Sequence, residues 1–483
     1  MPSATIRPAA AIAMTRPILS FVAIVALSGA ALAQAQTPNQ ATARAIFKEL
    51  IEINTTHSTG STTVAAEAMR ARFLAAGFQA ADVEVVGPAG SKNHNLIVRY
   101  RGTGTRKPVV LLAHLDVVEA RREDWTYDPQ TFTEKDGYFY GRGTQDIKDG
   151  AATLVASLLR MKQENVRPDR DLILALTAGE ENGGNDEYNG VVWLLANRPE
   201  FKSAAWVFNV DAGDPSLKDG KVHARLVQVA EKISFNLRLE VTNPGGHSSQ
   251  PVPENAIVRL SAAVARLGGF RFPVHMDDLT RAFFARSAAF ESGQVAADMR
   301  AVSRKSPDRA AAERLSRAPF HNAVLRTTCV TTTFEGGHAP NALPQRARAN
   351  VNCRMLPFES ADSVEATIRR VLADRLVTVT RLHEPLVSPP SPLMGEFASA
   401  VEAVTATMWP GVPVIPYMEP GGTDGKFFRN AGVPAYGASG VGIDPNDVRA
   451  HGKDERVLIT AFDAGAEYTY RLIRGFSAGT PKP

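Results

Sequence analysis

Apolar and polar positions from about residue 40 to residue 230 repeat with two different periods. Some stretches place apolar residues at helical spacing, and others are short apolar runs that end in polar residues. The helical stretches are ATARAIFKELIEI and TTVAAEAMRARFLAAGF, and the strand-like runs are KPVVLLAH, RDLILALTAG and SAAWVFNVDAG. This alternation predicts an α/β fold in which a mixed, mostly parallel sheet is layered by helices.

The pattern changes near residue 231 and returns after residue 358. Between these positions, strand-like runs flank a helical but irregular stretch from Pro273 to Leu325, which predicts a smaller α+β insert. After the insert, SADSVEATIRRVLA predicts a helix and LVTVTRL predicts a strand of the resumed α/β layer. We therefore predict a main domain formed by 36–230 and 359–483, interrupted by the insert at 231–358.

The N-terminus predicts a secretory signal peptide that spans residues 1–35. Two arginines precede an apolar run from Ile18 to Leu27, small residues follow, and no acidic residue occurs before Glu49. The run is short for a bilayer span, so a membrane anchor is the weaker interpretation. We expect cleavage after Ala33 or Ala35 and a secreted or periplasmic mature protein, with no stable membrane insertion.

Composition and charge restrict the partners of the chain. A hydrophobic content of 44% and a charged content of 22% are typical of a soluble globular protein. Removal of the signal peptide takes away two arginines and no acid, so the formal net charge falls from +4 to +2. Because the chain has no run of Lys or Arg, we expect no binding to nucleic acid.

The two cysteines, Cys329 and Cys353, lie about equally far on either side of Asn341. A hairpin that turns at Asn341 would place them opposite one another. In an exported protein they can form one disulfide, and the alternative is two buried free thiols.

Five scattered residues form a candidate ligand set for metals. They are two imidazoles and three carboxylates: His114, Asp146, Glu181, Asp211 and His451. Three of them follow strand-like runs, where ligands collect in open α/β sheets, and Asp146 follows two glycines in GRGTQD. If one carboxylate bridges, each of two divalent metals receives one imidazole, one terminal carboxylate and a share of the bridge. Such a site indicates a hydrolase.

Two neighbouring carboxylates add to this set. Asp116 lies two residues after His114, so on an extended strand its carboxylate can accept from the far ring nitrogen of His114. On its own, a His–Asp pair at a strand end is more often a structural hydrogen bond than part of a metal site. Glu180 and Glu181 would repel at the end of a strand unless a cation compensates. One can then bind a metal while the other acts as general base, and the alternative is a loop with two solvated glutamates.

A series of motifs runs in order along nearly the whole mature chain: AHLDVV, GRGTQDIKDG, TAGEEN, FNVDAGD, GGHSSQP, HAPNALP, NCRMLP, GGTDGKFF and AHGKDE. In this order they resemble the M20 family of zinc metallopeptidases, which includes carboxypeptidases, a desuccinylase, acetylornithine deacetylase and the aminoacylases. The resemblance implies that 36–230 and 359–483 form the catalytic domain. It also implies that the insert at 231–358 is a lid and dimerisation domain.

The resemblance implies a role for each of the five metal ligands. Asp146 would bridge two zinc ions, Glu181 and His451 would complete one site, and His114 and Asp211 would complete the other. The ligand types favour zinc, and cobalt and manganese are alternatives.

The same resemblance implies three catalytic residues. Glu180 would take a proton from the water that the two metals share and pass it to the leaving amine. Asp116 would orient His114, and His247 would reach the active site of a neighbouring subunit and stabilise the oxyanion.

Substrate residues also follow from the resemblance. Asn341 and Arg354 would hold the carboxylate of the substrate, and Gly422 and Thr423 would form a Gly-rich substrate loop. By contrast, we expect Lys148 and Lys426 to be solvated.

We therefore predict a dinuclear zinc hydrolase that cleaves a peptide or amide bond next to a free carboxylate, as a carboxypeptidase or dipeptidase. The alternative enzyme is an N-acyl-amino-acid deacylase, and the alternative from another class is a non-catalytic binding protein on the same fold. The expected partners are a small peptide or N-acyl amino acid and a second copy of the chain, in a homodimer formed through the lid.

Overall fold

The structure, a computed structural model, describes residues 36–182 and 188–477. The predicted signal peptide at residues 1–35 lies outside the described residues. Within the described ranges, no helix has both the length and the apolar character needed to cross a bilayer.

The described helices are numbered in chain order. They are α1 (Pro38–Glu52), α2 (Thr62–Ala75), α3 (Lys148–Gln163), α4 (Gly190–Asn197), α5 (Ala256–Gly268), α6 (Asp278–Ser287), α7 (Gly293–Val302), α8 (Arg309–Leu315), α9 (Pro319–Leu325), α10 (Ala361–Leu372), α11 (Glu396–Met408), α12 (Gly425–Asn430) and α13 (Ile459–Ser477).

The described strands are numbered in the same way. They are β1 (Val83–Val86), β2 (Asn95–Tyr100), β3 (Val109–His114), β4 (Thr133–Lys135), β5 (Tyr138–Tyr140), β6 (Leu172–Thr177), β7 (Trp206–Asn209), β8 (Pro215–Lys218), β9 (Lys221–Glu231), β10 (Ile233–Thr242), β11 (Gly246–His247), β12 (Thr328–Gly336), β13 (Ala342–Leu343), β14 (Arg346–Met355), β15 (Thr378–Arg381), β16 (Val414–Glu419), β17 (Ala435–Gly437) and β18 (Arg456–Leu458).

A nine-stranded sheet forms the main layer, in the order β1-β2-β6-β3-β7-β17-β9-β16, with β8 paired to β9. Its centre, from β6 to β17, is parallel, whereas the pairs β1-β2, β2-β6 and β17-β9 are antiparallel. Every residue of β3, β6 and β7 is buried, as expected for parallel strands that are covered on both faces. The predicted α/β fold with a mixed sheet layered by helices is confirmed.

The two faces of the main sheet carry separate cores. Val109 and Leu111 of β3 belong to one core, and the intervening Val110 belongs to the other, because successive side chains of a strand point to opposite faces. Helices α1, α3 and α13 bury their apolar sides in the first core. Helices α4 and α12 bury theirs in the second.

The insert contains a four-stranded antiparallel sheet in the order β12-β14-β10-β15. Helices α5 and α10 share its core, to which Ile368 and Leu372 of α10 contribute. Because β15 pairs with β10 through backbone hydrogen bonds, this layer extends to Arg381. The predicted end of the insert at residue 358 is therefore corrected: the helix and strand that follow it join the insert and not the main sheet.

Helices α6 to α9, within the predicted insert at 231–358, pack elsewhere. Phe283 and Phe284 of α6 belong to the core of the main sheet, and Arg286 Nη1 donates to the carbonyl of Val414 at 2.9 Å. Val414 begins β16, the last strand of the main sheet, and helices that cover an edge strand shield its backbone from other chains. The predicted insert thus consists of a sheet layer and a helical cover of the main domain.

The two cysteines form a disulfide. Cys329 of β12 lies directly opposite Cys353 of β14, so the predicted hairpin register is confirmed. The alternative of two free thiols is excluded, since Cys329 and Cys353 are the only cysteines of the chain.

Candidate metal centre

The carboxyl ends of three neighbouring parallel strands form the floor of the site. His114 ends β3 and lies beside Thr177 at the end of β6, while Asn209 at the end of β7 pairs with Leu112. The chain continues from β6 to Glu181 and from β7 to Asp211, so these side chains meet at one edge of the sheet.

The five predicted metal ligands lie together in two overlapping groups. One group contains His114, Asp146 and Asp211, and the other contains Asp146, Glu181 and His451. Within each group, the candidate ligand atoms lie within 4.8 Å of one another. Asp146 belongs to both groups, which is the position expected of a bridging carboxylate.

Asp146 contacts one imidazole with each of its oxygens. Its Oδ1 atom lies 3.0 Å from Nε2 of His114, and its Oδ2 atom lies 3.0 Å from Nε2 of His451. Each imidazole also has a second carboxylate: Asp211 Oδ1 is 3.7 Å from His114 Nε2, and Glu181 Oε1 is 3.0 Å from His451 Nε2. The donor set is therefore one nitrogen and two carboxylates on each side of the site, with Asp146 shared.

The structure corrects how Asp116 supports His114. The far ring nitrogen of His114, Nδ1, donates to the backbone carbonyl of Asp116 at 2.9 Å, and the nearest carboxylate oxygen is 3.9 Å away. That carboxylate instead accepts backbone N–H groups from Gly179, Glu180 and Glu181, at 2.8, 3.3 and 3.0 Å. Asp116 thus orients the imidazole through its main chain and fixes the Glu180–Glu181 turn through its side chain.

Strong electrostatic coupling sets the protonation of the two imidazoles. Hydrogen bonds that the imidazolium of His451 donates to Asp146 and Glu181 raise the pKa of His451 to about 10. Although burial opposes the imidazolium, hydrogen bonds that it donates to Asp146 and Asp211 raise the pKa of His114 well above its ordinary value. Burial disfavours the Asp146 carboxylate, but the two imidazoles hold its pKa below the usual range. A metal that binds here must therefore displace protons from both histidines.

Glu180 lies next to this cluster and is largely buried. Burial and the negative charge of Asp211 raise the pKa of Glu180 well above its ordinary value. Burial likewise raises the pKa of Asp211 to about 7. Lys426 opposes the shift at Glu180, because its Nζ atom lies 3.9 Å from Glu180 Oε1. A buried carboxylate with a raised pKa is suited to accept and return a proton near neutral pH.

The cluster opens into a cavity of about 720 Å³ between the main sheet and the insert. Arg354, Gly422 and Thr423 line it together with the ligands Asp146, Glu181, Asp211 and His451. A Cβ atom on Gly422 would lie 3.7 Å from Arg354 Nη1 and 3.7 Å from Lys426 Nζ, so two cationic side chains lie beside this glycine. Thr423 is engaged internally, since its backbone N–H and its hydroxyl both donate to Glu231 Oε2.

The prediction that Lys148 is solvated is wrong, whereas Lys426 is partly exposed at the cavity. Lys426 lines the cavity beside Glu180, and its place three residues after Thr423 in the Gly-rich loop is the sequence signal that would have found it. Lys148 is fully buried and donates from Nζ to the carbonyl of Ile53 at 2.9 Å. Its burial lowers the pKa of the Lys148 ammonium to about 7.

His247 and Asn341 lie together on the insert, but they do not line this cavity. His247 belongs to β11, which pairs with β13, and the N–H of Ser248 donates to the carbonyl of Asn341 at 3.0 Å. Both His247 and Asn341 are exposed. A single chain therefore keeps these two predicted site residues away from the metal ligands.

Comparison with known proteins agrees with this geometry. The sequence pattern of peptidase family M20/M25/M40 matches residues 110–475. The N-fatty-acyl-amino acid synthase/hydrolase PM20D1 of Homo sapiens is 29% identical over 389 residues, which cover 76% of this chain and 74% of that protein. Aminoacylase-1 of Mus musculus is 25% identical over 392 residues, covering 79% of this chain and 83% of that protein.

A solved structure shares the fold. The M20 family metallo-carboxypeptidase Sso-CP2 from Sulfolobus solfataricus superimposes with a TM-score of 0.68 at 16% identity, covering 90% of this chain and 99% of that chain. The matched family region contains the five candidate ligands and the candidate base. The sequence-based family prediction is confirmed: this chain belongs to peptidase family M20/M25/M40 and is a hydrolase of C–N bonds.

Proposed function

We propose that this hydrolase uses two metal ions to cleave a peptide or amide bond next to a free carboxylate, as a carboxypeptidase or dipeptidase. The observation that carries the proposal is the carboxylate of Asp146, which lies between two imidazoles in a cavity that also holds Glu180 and Arg354. These residues supply a metal bridge, a base and a carboxylate anchor within one space.

The side chains present fit two divalent metals. Each group offers one imidazole nitrogen and carboxylate oxygens, a donor set that zinc accepts with a position left open for water or substrate. Cobalt and manganese accept the same donors. Metals held here would lower the pKa of a water and polarise the scissile carbonyl.

Glu180 is the proposed proton carrier. Its carboxylate lies in the cavity beside Asp211, and backbone hydrogen bonds to Asp116 fix the turn that carries it. Because burial disfavours the charged form, the carboxylate accepts a proton from the attacking water readily. It then donates that proton to the nitrogen of the leaving amine, which completes cleavage without a second acid.

Arg354 and Lys426 are proposed to bind the carboxylate of the substrate. Both cationic groups lie beside Gly422, whose missing side chain leaves the space between them open. A planar guanidinium pairs with a carboxylate through two parallel hydrogen bonds, and a lysine adds a second positive charge. This pair would place the scissile bond near Glu180, because Lys426 lies 3.9 Å from Glu180.

An N-acyl-amino-acid deacylase is the second candidate. The names of the two relatives, an N-fatty-acyl-amino acid synthase/hydrolase and an aminoacylase, favour it. Apolar side chains also line part of the cavity, namely Val118, Ile233, Leu386 and Phe427, and they suit an apolar acyl group. The bond cleaved is the same in both candidates, and only the group on its acyl side differs.

We also propose that the protein acts as a homodimer formed through the insert. The edge strand β12 is exposed along most of its length, with Val330 59% exposed and Phe334 43% exposed. An exposed edge of this kind can pair with a second copy. His247 and Asn341 lie on the same insert and away from their own cavity, so a partner subunit is where they would complete a site.

Zinc binding to the metal-free protein is expected to release protons at neutral pH. Below its pKa of about 10, His451 carries a proton that the metal must displace, so the apparent affinity for zinc rises with pH up to that value. Calorimetric titrations at pH 7 in two buffers with different ionisation enthalpies measure the release. The control His383→Asn, at the cavity wall, should release as many protons as the wild type. Equal enthalpies in both buffers would contradict the prediction.

Replacement of Glu180 by Gln is expected to leave metal content unchanged and to lower kcat by roughly 10²–10⁴-fold, because the amide cannot accept a proton. Elemental analysis of the purified protein and steady-state kinetics provide the two readouts. Glu384→Gln is the matched control, since Glu384 lines the same cavity but pairs with Arg381. Retention of wild-type kcat in Glu180→Gln would remove Glu180 from the proposed chemistry.

A panel of dipeptides and N-acyl amino acids, each with a free or an amidated C-terminus, tests the carboxylate anchor. The wild type is expected to prefer substrates with a free carboxylate. Arg354→Met is expected to lose this preference, because the substrate carboxylate would then lack its guanidinium partner, and leaving such a charge unpaired costs about 2–5 kcal/mol. The faster class of substrate separates the two candidate functions. Equal kcat/KM values for free and amidated substrates in the wild type would contradict the role of Arg354.

Mixing two inactive variants tests the shared site. Glu180→Gln and His247→Ala each impair every site of their own homodimers. A mixed dimer keeps one site with an intact Glu180 that faces the intact His247 of the other subunit. We expect activity to appear after subunit exchange, while light scattering reports a dimer. A monomeric protein, or mixtures that stay as inactive as the separate variants, would argue against the trans contribution.

A further inference from the structure

Two loops meet at the metal centre from opposite parts of the chain. One loop precedes α3 and carries Asp146, and the other precedes β18 and carries His451. The residue before Asp146 is Gln145, and the residue before β18 is Glu455, which lies 310 residues further along the chain. Neither Gln145 nor Glu455 is a candidate metal ligand, and both are buried.

Glu455 holds the main chain of the Asp146 loop. Its Oε1 atom accepts the backbone N–H groups of Gln145 at 2.7 Å and of Asp146 at 3.1 Å. Its Oε2 atom accepts the backbone N–H of Gly143 at 3.1 Å and the guanidinium of Arg142. The carboxylate is completely buried, so these four donors replace its solvation by water.

Gln145 holds the main chain of the His451 loop in return. Its Oε1 atom accepts the N–H groups of Arg449 at 2.6 Å and of Ala450 at 3.0 Å. Its Nε2 atom donates to the carbonyls of Asp447 at 3.1 Å and of Arg456 at 2.8 Å. All four hydrogen bonds of one amide thus reach the segment that surrounds His451.

The two sides of the metal centre differ in what supports them. His114 and Asp211 extend from β3 and β7, which are paired strands of the main sheet. His451 has no such support: it lies in a loop, and its backbone adopts a left-handed conformation with φ at +62°. A residue other than glycine keeps such a conformation only where its surroundings impose it.

We propose that Gln145 and Glu455 form a reciprocal clamp that positions His451 against Asp146. Gln145 fixes the backbone of the loop that carries His451, and Glu455 fixes the backbone of the loop that carries Asp146. The clamp therefore sets the position of His451 relative to Asp146, while the sheet sets the positions of His114 and Asp211, the ligands that belong only to the other site. Gln145 and Glu455 are positioning residues and touch neither metal nor substrate.

Stepwise zinc affinities measured by competition with chelators test the clamp in Gln145→Ala and Glu455→Gln. Comparison with His451→Ala identifies which of the two binding steps belongs to the His451 site. Loss of a group that orients metal ligands typically weakens binding about 10–100-fold, and we expect this loss at the His451 step in both clamp variants. The affinity at the other step is expected to change far less. Should Glu455→Gln fail to fold, Gln145→Ala, which leaves the buried carboxylate in place, carries the test.

A matched control separates positioning from general loss of stability. Glu396→Gln removes a carboxylate that accepts from Arg170 at 2.8 Å and from Arg106. Arg170 lies near the amino end of β6, whereas the metal centre lies at the carboxyl ends of the strands. Glu396→Gln is expected to lower the unfolding temperature but to leave both zinc affinities unchanged. Unchanged affinities in the clamp variants, or equal losses at both steps, would overturn the clamp.

This inference rests on the two-metal centre proposed above, and the two ideas fail differently. A wild-type protein that binds fewer than two zinc ions contradicts the two-metal centre itself. If the wild type binds two zinc ions but the clamp variants lose zinc affinity equally at both steps, only the clamp is contradicted.

Discussion

The carboxylate of Asp146 lies between two imidazoles, and each of its oxygens is 3.0 Å from one Nε2 atom. A buried carboxylate without positive charge nearby is strongly disfavoured, so this contact requires His114 and His451 to approach from two sides. The remaining carboxylates of Asp211 and Glu181 add further negative charge. The cluster is thus arranged for cations, and the same carboxylates raise the pKa of both imidazoles.

The architecture brings these groups together from distant parts of the chain. Parallel strands deliver His114 and Asp211 to one edge of the main sheet, and the insert contributes Arg354 from the end of β14 to the opposite wall of the cavity. Lys232 lies at the joint between the two layers and donates from Nζ to the carbonyls of Ala323 and Arg326, both at 2.8 Å. Movement of the insert relative to the main sheet would change the distance between Arg354 and the candidate metal ligands.

The five candidate metal ligands could be predicted from the sequence because each lies at a strand end or in a Gly-containing turn, where local pattern and chemistry coincide. The role of Asp116 could not be predicted from the sequence. The predicted contact requires the chain to stay extended beyond His114, whereas β3 ends at His114 and the carboxylate of Asp116 turns towards the backbone of Gly179. A period of two applies only while the strand continues.

The position of the domain boundary could not be predicted for a different reason. The patterns of α10 and β15 predict a helix and a strand correctly, but the sheet that a strand joins depends on its pairing partner. β15 pairs with β10, which is far away in sequence. In the same way, helix α6 packs against β16, a strand that follows it by more than 100 residues. The burial of Lys148 was missed for a similar reason, since an isolated lysine is solvated in most proteins and only the fold shows that this one is enclosed.

Anomalous diffraction at the zinc absorption edge, from crystals of the zinc-loaded protein, tests the proposed two-metal centre. We predict two peaks about 3.5–4 Å apart, as in other two-metal sites, with the carboxylate of Asp146 between them. His114 and Asp211 should lie beside one peak, and Glu181 and His451 beside the other. A single peak, or two peaks of which either lies beyond contact with Asp146, would contradict a metal centre bridged by Asp146.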